Sequence, residues 1–365
     1  MKFIAYSDPH NHPHQSYSKI LPDGMNSRLV DIGRAVKTIY DAAEEIGCPV
    51  VSGGDTFQVK NSAHVIAFNE FSGILHRRSK VANPDQFDII NIGNHDMATH
   101  DGSRHALESL SYLPGIFIPH GASVSFAHWG EGIMFAIIPY PMEHGRFSED
   151  KFRGMLKRAI EEVENAKPYT AILLGHLYTH ELMKKHLDRG GDFSGKELMK
   201  HFDLVLLGHH HVHDVILGPT DKHGRTKKVV SIGSPIQLRA DERGDKKGYI
   251  IVNTETLDFE FIPIESPEFH YFEGEKTIVP EKITGDFVSV KVKSKAEGTR
   301  VKTLLERHGV AEYRIEVVPE KKTARIDLTP GAKDEEIITK YLESEWGKTD
   351  LDHDRLKKIG LAYLS

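Results

Sequence analysis

Seven side chains that favour divalent cations stand at the ends of short apolar runs: Asp8, His10, Asp55, Asn94, His176, His209 and His211. Run 3–6 leads into Ser7-Asp8-Pro9-His10, and run 49–51 into Gly53-Gly54-Asp55. Run 87–92 leads into Gly93-Asn94-His95-Asp96, run 171–174 into Gly175-His176, and run 204–207 into Gly208-His209-His210-His211. Glycine heads four of these loops, where it lets the chain turn sharply as it leaves a strand. Residues two apart point the same way on an extended backbone, so Asp8/His10 and His209/His211 can each grip a metal centre from one side. A set mixing carboxylate, amide and imidazole suits Mn, Fe or Zn better than Ca or Mg, which prefer oxygen. Thiolate zinc chemistry and an internal disulfide are excluded by the single cysteine, Cys48. One histidine after a strand is commonplace; five ligand-bearing loops in one chain are not.

The elements that must position these residues follow from the hydrophobic pattern. Apolar runs of four to six residues ended by Gly, Ser or Asp read as buried strands. Helical periods lie between them at about 29–47, 61–80, 102–111, 148–166 and 194–202. The alternation implies an α/β layered fold. Ligands of open α/β sheets bind beyond the carboxyl ends of the strands, so the five loops are expected on one edge of one sheet. At 116–140 and 212–264 the period shifts to two, as in hairpins that extend or back that sheet. Pro263, Pro267 and Pro280 mark a boundary near 264–285. Beyond it an α+β unit is expected, with a strand at 287–292, a helix containing 302–308, and strands at 313–318 and 323–328. Two short C-terminal helices follow, with Ile337, Ile338, Tyr341 and Leu342 on the first and Leu356, Ile359, Tyr363 and Leu364 on the second. The division expected is 1–265, 266–330 and 331–365, in keeping with 365 residues as about two domains.

Bulk composition narrows the function classes. The chain is 27% charged and 39% hydrophobic, ordinary for a soluble globular protein. A net charge of -6 argues against coating nucleic acid by bulk electrostatics but leaves room for a local basic groove. No apolar stretch approaches the roughly 20 residues of a membrane span, and Asp8 interrupts the N-terminal run, so a cytoplasmic location is expected.

The five blocks Asp-x-His, Gly-Asp, Gly-Asn-His-Asp, Gly-His and Gly-His-x-His, in that order over residues 8 to 211, resemble those of the calcineurin-like metallophosphoesterase superfamily. The resemblance implies a four-layer α-β-β-α sandwich followed by a small α+β cap. It implies two divalent ions bridged by Asp55, one also taking Asp8, His10 and His211, the other Asn94, His176 and His209. Two such ions can clamp a phosphate and lower the pKa of a shared water. His95, beside ligand Asn94, is the candidate general acid, with Asp96 holding its orientation or tautomer. His12, His14, His210 and His213 flank the motifs, either as solvated loop residues or as groups near phosphate or the ligands. The family usually has Gly soon after Asp-x-His, where this chain has Asn11-His12, which leaves the shape of the first loop open.

Within the superfamily the spacing resembles that of SbcD-type DNA nucleases, the short form resembling bacteriophage members, for which the location would be the host cytoplasm. The segment Gly233-Ser234-Pro235-Ile236-Gln237-Leu238, a charged loop and Gly248-Tyr249 resemble that family's Gly-Ser block. The resemblance implies a manganese-dependent exonuclease with single-strand endonuclease activity, the nuclease subunit of a repair or recombination complex. Its expected partners are DNA, an SbcC-like SMC-type ATPase docked on 331–365, and a second copy of the chain. Lys227, Lys228, Arg239, Lys291, Lys293 and Arg300 are the candidate phosphate contacts. The alternatives are a small-nucleotide phosphodiesterase or phosphatase, and a non-catalytic metal-binding scaffold.

Overall fold

The computed structural model describes residues 1–365 except 81, 82, 84, 131, 183–192, 319–330, 345–350 and 365. Strands β1 (Lys2–Tyr6), β2 (Val50–Ser52), β3 (Asp88–Ile90) and β4 (Ile116–Phe117) run parallel in one six-stranded sheet. A second six-stranded sheet contains β5 (Ser125–Trp129), β6 (Ile133–Ile138), β9 (Thr170–His176), β10 (Leu204–Gly208), β11 (Asp214–Thr220) and β12 (Thr226–Ser231). Its order is β11-β12-β10-β9-β6-β5, parallel from β12 to β6 with an antiparallel strand at each edge. A short hairpin, β7 (Met142–Glu143) with β8 (Arg146–Phe147), precedes the return to the second sheet. The antiparallel pair β13 (Gly248–Asn253) and β14 (Phe259–Pro263) completes the first sheet against β1.

The five ligand-bearing strands are therefore divided between two sheets, β1 to β3 in one and β9 and β10 in the other, not set along one sheet. Periodicity cannot assign a strand to a sheet, because both inner and outer faces are apolar. Phe3, Ala5, Val51 and Ile89 of the first sheet meet Ile137, Ile172, Leu174, Leu204 and Leu206 of the second in a fully buried layer. The alternate residues Ile4, Tyr6, Val50 and Ile90 face helices α1 (Ser27–Ile46) and α2 (Val65–Ser79). On the far side Met134, Ala136, Leu173, Val205 and Leu207 face α3 (Glu149–Ala166) and α4 (Gly195–His201). The result is the four-layer α-β-β-α sandwich expected. Burial on both faces also explains why these strands read as continuous apolar runs.

Helix α1 starts where Asn26 accepts from the Leu29 N–H at 3.1 Å and stops at Gly47, whose φ of 71° needs no Cβ penalty. The helix expected at 102–111 is mostly a turn built on Asp101, with a 3-10 segment at Glu108–Tyr112. A third sheet, all parallel, joins β15 (Phe269–Glu273), β16 (Phe287–Val292) and β17 (Glu312–Val317), with α5 (Lys295–Arg307) packed on it. Strand β15 has no counterpart in the expected pattern, and the strand expected at 323–328 lies outside the described residues. The chain ends in α6 (Asp334–Glu343) and α7 (His353–Leu364), packed on each other. Among the described residues no helix is long and apolar enough to cross a membrane.

Candidate metal centre

The strand registers bring the loops to one level. Tyr6 pairs with Ser52 and Ser52 with Ile90, so the first three loops leave the first sheet side by side. Gly208 pairs with His176 in the second sheet. The sheets are then tied across the site: the His209 N–H donates to both Asp8 oxygens at 3.1 and 3.0 Å, and His176 Nδ1 donates to the Gly53 carbonyl at 2.8 Å. Gly208 is required by closeness rather than by its dihedral. A Cβ there would lie 2.5 Å from the Gly53 oxygen and 2.9 Å from His176 Nδ1.

Four of the seven candidate ligands sit in the left-handed region: Asp8 (φ 53°), His10 (47°), Asp55 (52°) and His209 (85°). Non-glycine residues there cost on the order of 1–3 kcal/mol each and persist where surrounding structure over-determines them. His209 is therefore not on the extended backbone expected, and neither are Asp8 and His10. Their side chains converge because two successive turns are held by Asp8 N–H to Gly54 O (3.0 Å) and His10 N–H to Asp55 O (3.1 Å). The Asn11-His12 departure is accommodated in the same way, with Asn11 bonded by backbone and side chain to the Thr56 carbonyl.

The ligand atoms gather around Asp55. Its Oδ2 is 3.2 Å from His176 Nε2 and 3.6 Å from His10 Nε2, while Oδ1 accepts the His95 N–H at 2.7 Å. Asp8, His10 and His211 form one tight group and Asp55, His176 and His209 another, while His10, Asp55 and His95 form a third that shares a member with each. His10 Nε2 and His211 Nε2 approach to 3.0 Å. The Asn94 Oδ1 is buried without a hydrogen-bond partner, as is His176 Nε2. Because His176 Nδ1 carries its hydrogen to Gly53, the Nε2 lone pair faces a carboxylate oxygen, an arrangement that needs a cation or a proton. The orphaned oxygen, the converging imidazoles and the absence of thiolate fit one or two N/O-coordinated divalent ions.

Burial lowers His10 and His209 well below the usual imidazole range, which keeps both rings neutral and able to bind metal. Burial also opposes ionisation of Asp55, but His176, His10 and His95 outweigh it and hold the carboxyl below its ordinary value. Burial pushes Asp8 up, only partly offset by His176 and His211. His176 itself rises to about 9, since Asp55 and Asp8 overcome its desolvation.

His95 lies at the mouth of the cleft, its ring 4.9 Å from that of His10, and its Nδ1 donates to the Gln58 carbonyl. Asp96 does not orient it. That carboxylate is buried beneath the loops and accepts from the Thr56, Phe57 and Gly93 N–H groups at 3.2, 3.0 and 3.0 Å, so it shapes the turns that present Asp55 and Asn94. Sequence spacing suggested a partner for His95 but could not show that the carbonyl of Gln58, 37 residues away, supplies it.

The cleft holds about 510 Å³ and is also lined by Tyr178, Arg239 and Glu242. His14 and His210 line it too, whereas His213 does not and packs its ring 4.4 Å from that of Phe261. Of the six basic residues expected to contact phosphate, only Arg239 lines the cleft. Lys228 is buried and bonded to the Leu257 carbonyl (2.8 Å) and Asp258 (3.1 Å), and Lys227 pairs with Asp203 at 3.3 Å. Both occupy the start of β12, opposite the strand ends that carry the site. Arg300 is exposed and paired with Glu275, Lys293 is exposed on the same unit, and Lys291 reaches over the Tyr271 ring.

No protein-family profile and no curated protein matches this sequence. Solved structures similar to it include a hypothetical protein from Thermus thermophilus, with a TM-score of 0.38, 13% identity, and 65% of this chain and 78% of that chain covered. Another is the calcineurin-like phosphoesterase YfkN from Bacillus subtilis, with a TM-score of 0.36, 12% identity, and 72% and 88% covered.

Proposed function

We propose that this chain is a metal-dependent phosphoesterase that hydrolyses phosphodiester bonds, with DNA as its substrate and manganese as the working ion. The observation that carries the reading is the Asp55 carboxylate set between the inward Nε2 atoms of His10 and His176, at 3.6 and 3.2 Å. Asp8, His10, Asp55 and His211 would hold one ion, and Asp55, Asn94, His176 and His209 the other. Divalent ions held there would polarise the phosphoryl group and lower the pKa of a water to neutral range.

The chain's own residues supply the rest. Gln58 fixes the His95 ring with Nε2 toward the cleft, where it can give a proton to the leaving oxygen. Arg239 is exposed at the cleft and lies 3.5 Å from Asp241, while Arg243 and Lys291 both reach the Tyr271 ring, at 5.2 and 5.7 Å. That basic strip with an aromatic face supports a nucleic-acid substrate, held through its backbone. The exposed Tyr341, Ile359 and Tyr363 on α6 and α7 support a docking role for the C-terminal helices toward an SMC-type ATPase subunit.

The test is Mn-dependent release of nucleotides from linear duplex DNA, compared with cleavage of a chromogenic small phosphodiester. The proposal predicts both activities, with the DNA reaction falling steeply as salt rises. Hydrolysis of the small ester alone, with no DNA degradation at low salt, would leave a small-nucleotide phosphodiesterase.

A further inference from the structure

The loop following β12 contains a buried charge pair that none of the roles above requires. Glu242 and Lys247 have side chains only 5% and 4% exposed, with Glu242 Oε2 and Lys247 Nζ 2.9 Å apart. Desolvating two charges is tolerated when every donor and acceptor is met. Here one histidine meets a group of each. His211 Nδ1 donates to Glu242 Oε1 at 2.8 Å, and Lys247 Nζ donates to the His211 carbonyl at 2.8 Å. The remaining Glu242 oxygen accepts from the Leu238 N–H at 3.0 Å, and Lys247 also donates to Ser234 Oγ at 2.9 Å. Ring and backbone of His211 are thus gripped from both ends by the same ion pair.

Three other imidazoles of the site lack this support. Gly53 and Gln58 serve His176 and His95 with neutral carbonyls, and His10 Nδ1 is buried with no partner. Only His211 among these is backed by a carboxylate, which fixes its Nε2 as the inward electron pair and raises the ring's strength as a donor. A buried pair of this kind gains little stability over apolar residues of the same size.

We propose that Glu242 is a positioning residue for His211, strengthening the ion held by Asp8, His10 and His211 while leaving the ion of Asp55, His176 and His209 untouched. This rests on the metal-site reading above. The experiment is Mn2+ binding, followed by calorimetry and electron paramagnetic resonance, to the full chain and to Glu242→Gln in three backgrounds: wild type, His209→Ala and His211→Ala. Glu242→Gln is expected to weaken one ion by about 10–100-fold in the wild type and in His209→Ala. In His211→Ala it is expected to change nothing, because the ring through which it acts is gone. Unchanged Mn2+ affinity in the first two backgrounds overturns the proposal, and so does an equal loss in His211→Ala, which marks a general structural role. If Glu242→Gln fails to fold by circular dichroism, Glu242→Gln/Lys247→Gln removes both charges together and is read by the same criteria. A wild-type chain that takes up no divalent ion contradicts the metal site itself, a result distinct from either.

Discussion

In metal-free protein a proton must do at His176 what a bound divalent ion would do there. The Nε2 lone pair would otherwise face Asp55 Oδ2 at 3.2 Å, and burial is outweighed by Asp55 and Asp8 so that the ring titrates near 9. Moving a histidine from 6.5 to about 9 corresponds to roughly 3 kcal/mol of native-state preference for the charged ring. The native state then binds more protons than the unfolded chain between those values, so stability falls with pH there. The contribution is complete below 6.5, declines through the window and is absent above about 9. The depressed Asp55 carboxyl reports the same interaction from its other side, lost as acid protonates it below the usual carboxylate range, and is not counted again. Metal uptake should therefore expel the His176 proton. Proton release, measured by titration calorimetry of Mn2+ into metal-free protein in buffers of different ionisation enthalpy, should exceed at pH 8 its value at pH 10 by about one per chain. Asp96, raised to about 7 by burial and then by Asp55, is largely ionised at pH 8 and does not confuse the count. Denaturant midpoints of metal-free protein should fall from pH 6.5 to 9, while those of loaded protein should not. Equal proton release at pH 8 and pH 10, with metal bound at both, would mean that His176 does not carry that proton.

Replacing His95 by Ala should lower turnover by roughly 10²–10⁴ with both ions retained, checked by steady-state rates and metal content; loss of an ion would place His95 among the ligands. Arg78→Met should cost about 3–5 kcal/mol in chemical denaturation, because it strands Asp88, which Arg78 holds at 2.8 and 3.0 Å with only 3% of the Asp88 side chain exposed. Gly208→Ala should destabilise the fold by about 1–3 kcal/mol and weaken Mn2+ binding, since its Cβ would meet Gly53 O and His176 Nδ1, which are bonded to each other.

The clustering of Asp8, His10, Asp55, His176, His209 and His211 was legible because buried strands are continuous apolar runs and the polar residues that break them stand out. Helices α1, α3 and α4 were legible for the same reason, from their periodic apolar faces. Contacts between distant segments were not. Nothing near Lys228 in sequence shows that it is buried against Asp258, so a Lys-rich stretch read as a phosphate-binding loop. Nothing among the charges of 239–247 marks Glu242, although the Gly-Ser block stands just before it; the missing information is that its carboxylate reaches back 31 residues to His211. Asp96 was assigned to its sequence neighbour, whereas backbone amides from 40 residues away claim it. The left-handed backbone at Asp8, His10, Asp55 and His209 has no composition cue, since glycine is the usual marker of that region.

Two ions sharing the Asp55 carboxylate would give this chain a defined metal stoichiometry, which a Mn2+ titration reads. Wild-type protein titrated with Mn2+ should bind two ions per chain with a spin-coupled resonance signal. His211→Ala and His176→Ala should each lose or severely weaken one ion, and Asp55→Ala should lose both. Retention of one undisturbed ion by Asp55→Ala, or a single ion in the wild type, would contradict it.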